Sequence, residues 1–380
     1  YEDDIYNGLY YALKNQVVNK ETGERGDPIT QNLKGHEQGA ARSLVTHARS
    51  KQIYSAGSDG RILRWTQENG RWKAQEVMPR MTDYLFYSID LSPDEDFLLA
   101  GGLTTGDATQ NYAMLFDLRN PGVAPKRIAG FVNGIDNIEF TPDGKGAYMR
   151  DNSGRSIKYT DLNTVREVIS AKGAKINAFT ISPDGTRIAA AGENGVLSVY
   201  DIRNNYAMKE AFRNTGNVPL TAIAYASDNR RMVVGDQKGL IRIIWENATI
   251  PPRVLSGHSE HIEQIKFNFS NTFMATTSRD KTVRLWNWVE LNRQPIKLAD
   301  NPDWVWSATF SPDDEQLIVG VHSNSTTANE TIHAWPTKVE TMSGLLCKYV
   351  TRNLSKDEWE IFIGDLPYSR TCENFPANNK

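Results

Sequence analysis

A turn of the type Ser-Pro-Asp-Gly recurs along this chain, each time after a short run that alternates apolar and polar residues. Four copies are plain: "DLSPDEDF" (90–97), "EFTPDGKG" (139–146), "TISPDGTR" (180–187) and "TFSPDDEQ" (309–316). "AYASDNRR" (224–231) and "FNFSNTFM" (267–274) are weaker, and "VTHARSKQ" (45–52) is the most degenerate. The seven copies lie about 41 to 50 residues apart, a period that points to a stacked array of one repeated unit. Whatever one interval folds into, the chain holds seven of them.

One interval reads as four short strands. In the sixth, "HIEQIKF" alternates Ile262, Ile265 and Phe267, "SNT" turns, "FMATTS" is a second strand, "RDK" turns, and "TVRLWNW" is a third. A fourth, "QPIKLA", leads to the next copy. Strands of this length joined by Asp, Asn, Gly and Pro turns make an antiparallel meander rather than a βαβ unit. One such sheet leaves a face uncovered. Seven stacked around an axis bury each face against a neighbour, so the fold class is all-β, a seven-bladed β-propeller.

The residues at fixed places in each interval carry a resemblance. Gly257-His258, Ser278, Asp280 and Trp286 in the sixth interval, and Gly35-His36, Asp59 and Trp65 in the first, make the chain resemble a WD40 propeller over about residues 28–336. The first has Gly57 where the resemblance places serine. Elsewhere Phe116, Tyr159, Tyr200 and Ile244 take the Trp place, and Ser153, Asn194 and Lys238 the Asp place. The last interval supplies only "VWSATF", "QLIVGV" and "TIHAWP", so its missing outer strand is expected from "PITQNLKG" (28–35), pairing with the strand that contains Trp335 and removing an open edge.

Serine, histidine and aspartate together also spell a nucleophile, its base and an orienting group. The competing reading is a buried chain in which His258 bonds Asp280 and Ser278 while the Trp286 indole N–H donates to the serine. A nucleophile needs a cleft and an oxyanion hole, and no Gly-x-Ser-x-Gly elbow surrounds Ser278. The buried chain is preferred, with His36, Asp59 and Trp65 as its counterpart, and no catalytic residue is assigned. His258 and His261 lack a third ligand, so no metal or cofactor is expected.

Function is expected at the mouth of the channel. Register along each innermost strand and at the residue just before the turn aspartate, together with the resemblance, assigns Arg42, Tyr87, Asp136, Lys175, Asn177, Glu193, His261, Glu263, Arg279, Trp304 and Trp306 to the face that meets a protein or peptide. Aromatics and Arg carry much of the binding energy at interfaces. The stretches 101–113 and 321–331 are read as long polar loops. The alternative is a metal-dependent propeller hydrolase or small-ligand receptor, with Asp136, Asn177 and Glu263 converging in the channel.

Bulk properties narrow the partners. A net charge of -3 argues against a general nucleic-acid binder. No apolar run approaches the roughly 20 residues that span a bilayer, so no direct membrane insertion is expected in this segment. Cys347 and Cys372 form one bridge or remain two thiols; the sequence leaves both open. Residues 3–17 place Ile5, Leu9, Leu13 and Val17 at four-residue steps, a helical pattern. "NLSKDEWEIFIG" sets Ser355 and Glu358 as a capping box, with Gly364 to stop the helix. The tail resembles extensions that follow WD40 regions in large bacterial proteins. That resemblance, with a start at Tyr1 lacking Met, implies a piece of a longer bacterial chain, cytoplasmic or attached to a membrane-anchored whole, and monomeric when isolated. The expected domains are 1–27, 28–336 and 337–380.

Overall fold

Six intervals adopt the four antiparallel strands that their alternation requires, and the seventh supplies three of its blade's four. In blade 6 they are Ile262–Phe267, Phe273–Ser278, Val283–Asn287 and Ile296–Leu298. The innermost strands are Gly39–His47, Tyr84–Leu91, Ile135–Phe140, Ile176–Ile181, Leu220–Tyr225, Ile262–Phe267 and Val305–Phe310. This computed structural model describes residues 31–380 apart from 38, 69–70, 107–109, 172, 247–248, 300, 324–330, 339–340, 343, 345–346, 348–351, 354, 363–367, 369, 371, 374 and 377–380. The helix expected over 3–17 and the stop at Gly364 lie outside the described residues.

The recurring turns share one backbone device. Lys51, Glu95, Gly144, Gly185, Asn229, Asn271 and Asp314 all have positive φ, one in each turn between the first two strands of a blade. Gly and Asn adopt that region most readily. The aspartates of the turns serve them locally: Asp184 accepts from the Ser182 hydroxyl at 2.6 Å and the Thr186 amide at 3.0 Å.

The ring closes as expected. Gln31–Leu33 lies beside Ile332–Pro336 and completes the last blade. A second link was not foreseen: the start of the first inner strand pairs with blade 7, Gly39 opposite Ser323 and Ala40 opposite His322. The loop read over 101–113 is corrected. Most of it is strand, Phe97–Thr104 and Asn111–Asp117, and buried Asn111 accepts from the Thr104 amide at 2.7 Å and donates to the Val132 carbonyl at 2.8 Å. Likewise 321–323 belong to the strand Gln316–Ser323.

The described residues fall into two units: Asn32–Asp314 with Ile318–His333, and a second made of residue 31, Glu315–Leu317 and the described part of 334–380. In the second, the helix Lys356–Phe362 carries the expected capping box. The Ser355 amide donates to Glu358 Oε2 at 2.8 Å and the Glu358 amide to Ser355 Oγ at 3.2 Å. Cys347 and Cys372 are joined in a disulfide. Asn353, almost fully buried, accepts from the Cys372 amide at 2.7 Å and donates to the Phe375 and Pro376 carbonyls at 3.0 Å. A loop of 25 residues closed by a disulfide gains about 3 kcal/mol from the restricted unfolded chain. Cys372→Ser should therefore expose the tail to limited proteolysis in native buffer; a digestion rate equal to that of the unsubstituted protein would contradict this.

Candidate functional site

The polar residues of blade 6 form a directed chain. The Trp286 indole N–H donates to Thr276 Oγ1 at 2.9 Å, and His258 Nε2 lies 2.8 Å from that hydroxyl. His258 Nδ1 lies 2.9 Å from Asp280 Oδ2. Burial lowers the His258 pKa despite Asp280, so the imidazole is neutral at pH 7: it accepts from the threonine and donates to the carboxylate. Burial opposes ionisation of Asp280, yet the bond from His258 overcomes it and holds that carboxyl well below the usual range. Blade 1 repeats the chain as Trp65, Ser55, His36 and Asp59, at 2.8, 2.7 and 2.9 Å.

This corrects the assignment of serine. Ser278 is not the hydroxyl between His and Trp; it sits at the strand end, where its Oγ accepts from the Asp280 amide at 3.1 Å and donates to the Glu260 carbonyl at 3.1 Å. The bridging group is Thr276, one pleat further in on the same face, and in blade 1 it is Ser55, so Gly57 breaks nothing. Both hydroxyl residues are fully buried, so neither can reach a substrate. Thr276→Ala leaves two buried groups without a partner and should cost about 2–4 kcal/mol, against about 1 for Ser278→Ala. Urea unfolding measures both, and equal losses would restore Ser278 to the chain.

The channel mouth is built by a backbone irregularity that the sequence did not announce. In six inner strands the pairing register slips near the start of the strand: Ala41/Ser43, Phe86/Ser88, Ile135/Asn137, Ile176/Ala178, Leu220/Ala222 and Ile262/Gln264. The residues skipped are Arg42, Tyr87, Asp136, Asn177, Thr221 and Glu263. A β-bulge leaves its extra residue unpaired and re-aims its side chain, here towards the axis. A cavity of about 920 Å³ runs along that axis, lined by these six and by Lys175, Glu193, His261 and Trp306. Arg279 and Trp304 join the group from its edge.

Their contacts are specific. The Arg42 guanidinium lies 3.9 Å from the Trp306 ring centre and 4.9 Å from that of Tyr87. Arg279 lies 4.7 Å from the Trp304 ring centre and pairs with Glu263. Trp304 and Trp306 meet edge to face at 6.0 Å, and His322 stacks on Trp304 while bonding Asp303 at 2.9 Å. Trp304 is 36% exposed, and Lys175 and Glu193 are exposed at the rim. Burial, then Arg279, lowers the His261 pKa to about 4. Burial lowers that of Arg42.

The three residues named for the alternative reading each have a partner within the chain. Asp136 pairs with Arg150 at 2.7 Å, Glu263 with Arg279, and Asn177 donates to the Leu220 carbonyl at 2.8 Å. Among the described residues no group of three or more His, Cys, Asp or Glu is arranged to hold a metal ion.

The family model "WD domain, G-beta repeat" matches residues 163–201 and 250–287. The chain is a WD40-repeat β-propeller. It is similar to "Non-functional target of rapamycin complex subunit LST8-2" of Arabidopsis thaliana, 26% identical over 69% of this chain and 83% of that protein. "Target of rapamycin complex subunit wat1" of Schizosaccharomyces pombe is 24% identical over 53% of this chain, which spans 64% of that relative, just under two thirds. In structure it is similar to the WD40 propeller domain of Doa1, with a TM-score of 0.67 at 16% identity over 82% of this chain and 96% of that one. The bacterial, multidomain setting expected from the tail draws no support from these relatives.

Below its mouth this WD40 propeller carries polar groups that sequence reasoning missed. Ser43, Ser88, Asn137 and Gln264 each accept from the inner strand of the next blade: the amides of Ile89, Ile138 and Phe179 at 3.1 Å, and of Ala308 at 2.7 Å. Two residues further on, Asp90 accepts from the Phe140 amide at 2.7 Å, and Glu139 from the Ile181 amide at 3.1 Å and the Thr180 hydroxyl at 3.2 Å. Burial pushes Asp90 up to about 6. Burial, reinforced by Asp90, pushes Glu139 up to about 8. Only the strand stagger between blades shows which backbone amide each will meet.

Proposed function

We propose that this propeller is a non-enzymatic interaction scaffold that presents the mouth of its channel to a protein or peptide, as the partner-binding or sensory part of a larger protein. The observation that carries the reading is the cluster of Arg42, Arg279, Trp304 and Trp306, in which aromatic rings and guanidinium groups stack at the opening of a cavity. Such groups are the usual anchors of interfaces, because large rigid surfaces desolvate at little cost in side-chain entropy. The fission-yeast relative is named as a subunit of a complex, which supports a role in assembly.

The test is capture of partners from an extract of the source organism on the immobilised chain. Trp306→Ala with Arg279→Ala should weaken capture by about 100-fold or more, since each anchor contributes roughly 2 kcal/mol or more. The thermal midpoint, read on the same sample, should move by only a few degrees. Undiminished capture by the double variant would place the contact elsewhere on the propeller.

A further inference from the structure

The charges at the mouth do not cancel. Asp136 is neutralised by Arg150 at 2.7 Å and Glu263 by Arg279. The exposed Lys175 and Glu193 offset one another at the rim, and His261 is neutral at pH 7. Arg42 remains. Among the described residues no carboxylate stands within ion-pairing distance of it, although Glu263 and Asp136 are near enough to be felt. Its guanidinium is covered by the rings of Trp306 and Tyr87 at 3.9 and 4.9 Å. Contact with the two rings restrains the group, and among the described residues none accepts a hydrogen bond from it.

A half-buried cation without a partner is a cost that an incoming anion relieves. A held guanidinium edge matches a planar carboxylate, which can accept two parallel N–H bonds. The size of the charge selects further. One uncompensated positive group among paired carboxylates suits a single negative charge, whereas a phosphate dianion also faces Asp136, Glu263 and Glu193.

Resting on the reading of the mouth as the partner-binding face, we infer that Arg42 receives the carboxylate of a Glu or Asp side chain from the bound segment of the partner. Trp306 and Tyr87 act as positioning residues that keep the guanidinium presented at the mouth.

The probe is octaglutamate, compared with octaserine and with an octaserine peptide bearing one phosphoserine, by calorimetry at low salt. The Trp306 indole N–H signal, assigned with Trp306→Phe, reports where the peptide sits. Octaglutamate is expected to bind and shift that signal while octaserine does neither. Arg42→Lys, which keeps the charge but loses the planar fork, should weaken binding at least about tenfold, and Arg42→Gln should abolish it. Thermal unfolding checks both variants, and Arg42→Lys still decides the matter if Arg42→Gln does not fold.

No octaglutamate binding, or equal binding by the Arg42→Lys protein, overturns the inference. So does a phosphoserine peptide that binds at least about tenfold tighter than octaglutamate through Arg42. The two readings fail separately. If Trp306→Ala with Arg279→Ala abolishes partner capture while octaglutamate does not bind, the mouth remains the interaction face and only the carboxylate assignment falls. Capture that survives those substitutions removes the interaction face itself.

Discussion

Trp286→Ala is expected to lower unfolding stability by about 3–5 kcal/mol, the cost of deleting a large buried aromatic side chain. Trp286 is 3% exposed. It belongs to one apolar cluster that takes Ile241, Ile243 and Leu255 from blade 5 and Ile262, Ile265 and Met274 from blade 6. Alanine there opens a cavity shared by two blades and strips the Thr276 hydroxyl of its donor. Trp286→Phe keeps most of the volume and loses the N–H, so it should cost only about 1–2 kcal/mol. Urea unfolding followed by circular dichroism separates the two. If phenylalanine proves as damaging as alanine, the hydrogen-bond chain outweighs packing in holding the blades together.

The second large effect depends on pH. Asp90 and Glu139 have folded pKa values of about 6 and about 8, above their unfolded values of 3.8 and 4.5. The folded state therefore binds protons more tightly than the unfolded state. The stability tied to these two groups is complete below about pH 4, erodes as pH rises through the interval up to about 8, and stays lost above it. Undiscounted, the shifts correspond to about 3 and about 5 kcal/mol. Both carboxyls are only partly buried and line the channel, so solvent screening brings the combined effect to about 3–5 kcal/mol. Asp90→Asn with Glu139→Gln removes the ionisable groups and keeps an oxygen acceptor for the Phe140 and Ile181 amides. That variant should unfold at higher temperature than the unsubstituted chain at pH 8.5 and at nearly the same temperature at pH 4.5. Parallel melting curves across that range would show that the two carboxyls are not desolvated in the folded protein. Asp280 acts with the opposite sign: its depressed pKa contributes stability that is lost only as pH falls below about 4. Taken together, these three groups contribute most to stability in mildly acidic solution.

Much of this architecture was legible because it rests on local chemistry. The Ser-Pro-Asp-Gly turns need one residue at positive φ, and seven such residues stand where the turns recur. Alternation over six-residue runs specifies strands, and a last blade short of one strand asks for an N-terminal donor, which Gln31–Leu33 supplies. Ser355 and Glu358 announced their capping box from a spacing of three. The bridging hydroxyl was misplaced because Thr276 and Ser278 share a strand face. Only the depth of the His258 ring in the blade chooses between them.

The sequence by itself determined the number of blades, most of their strands and the closing segment, which follow from period, alternation and turn residues; the resemblance placed the His, Asp and Trp of the two hydrogen-bond chains but not the bridging hydroxyl of blade 6. Register and resemblance already assigned the residues of the mouth; only the tertiary structure shows the bulges that turn them towards the axis. A bulge adds one residue to a strand without changing its composition, so the re-aiming of Arg42, Tyr87 and Glu263 leaves no trace in the pattern. The pairing of Asp136 with Arg150, and the lifting of Glu139 by burial and by Asp90, depend on distances between separate blades or strands, set only once the ring has closed.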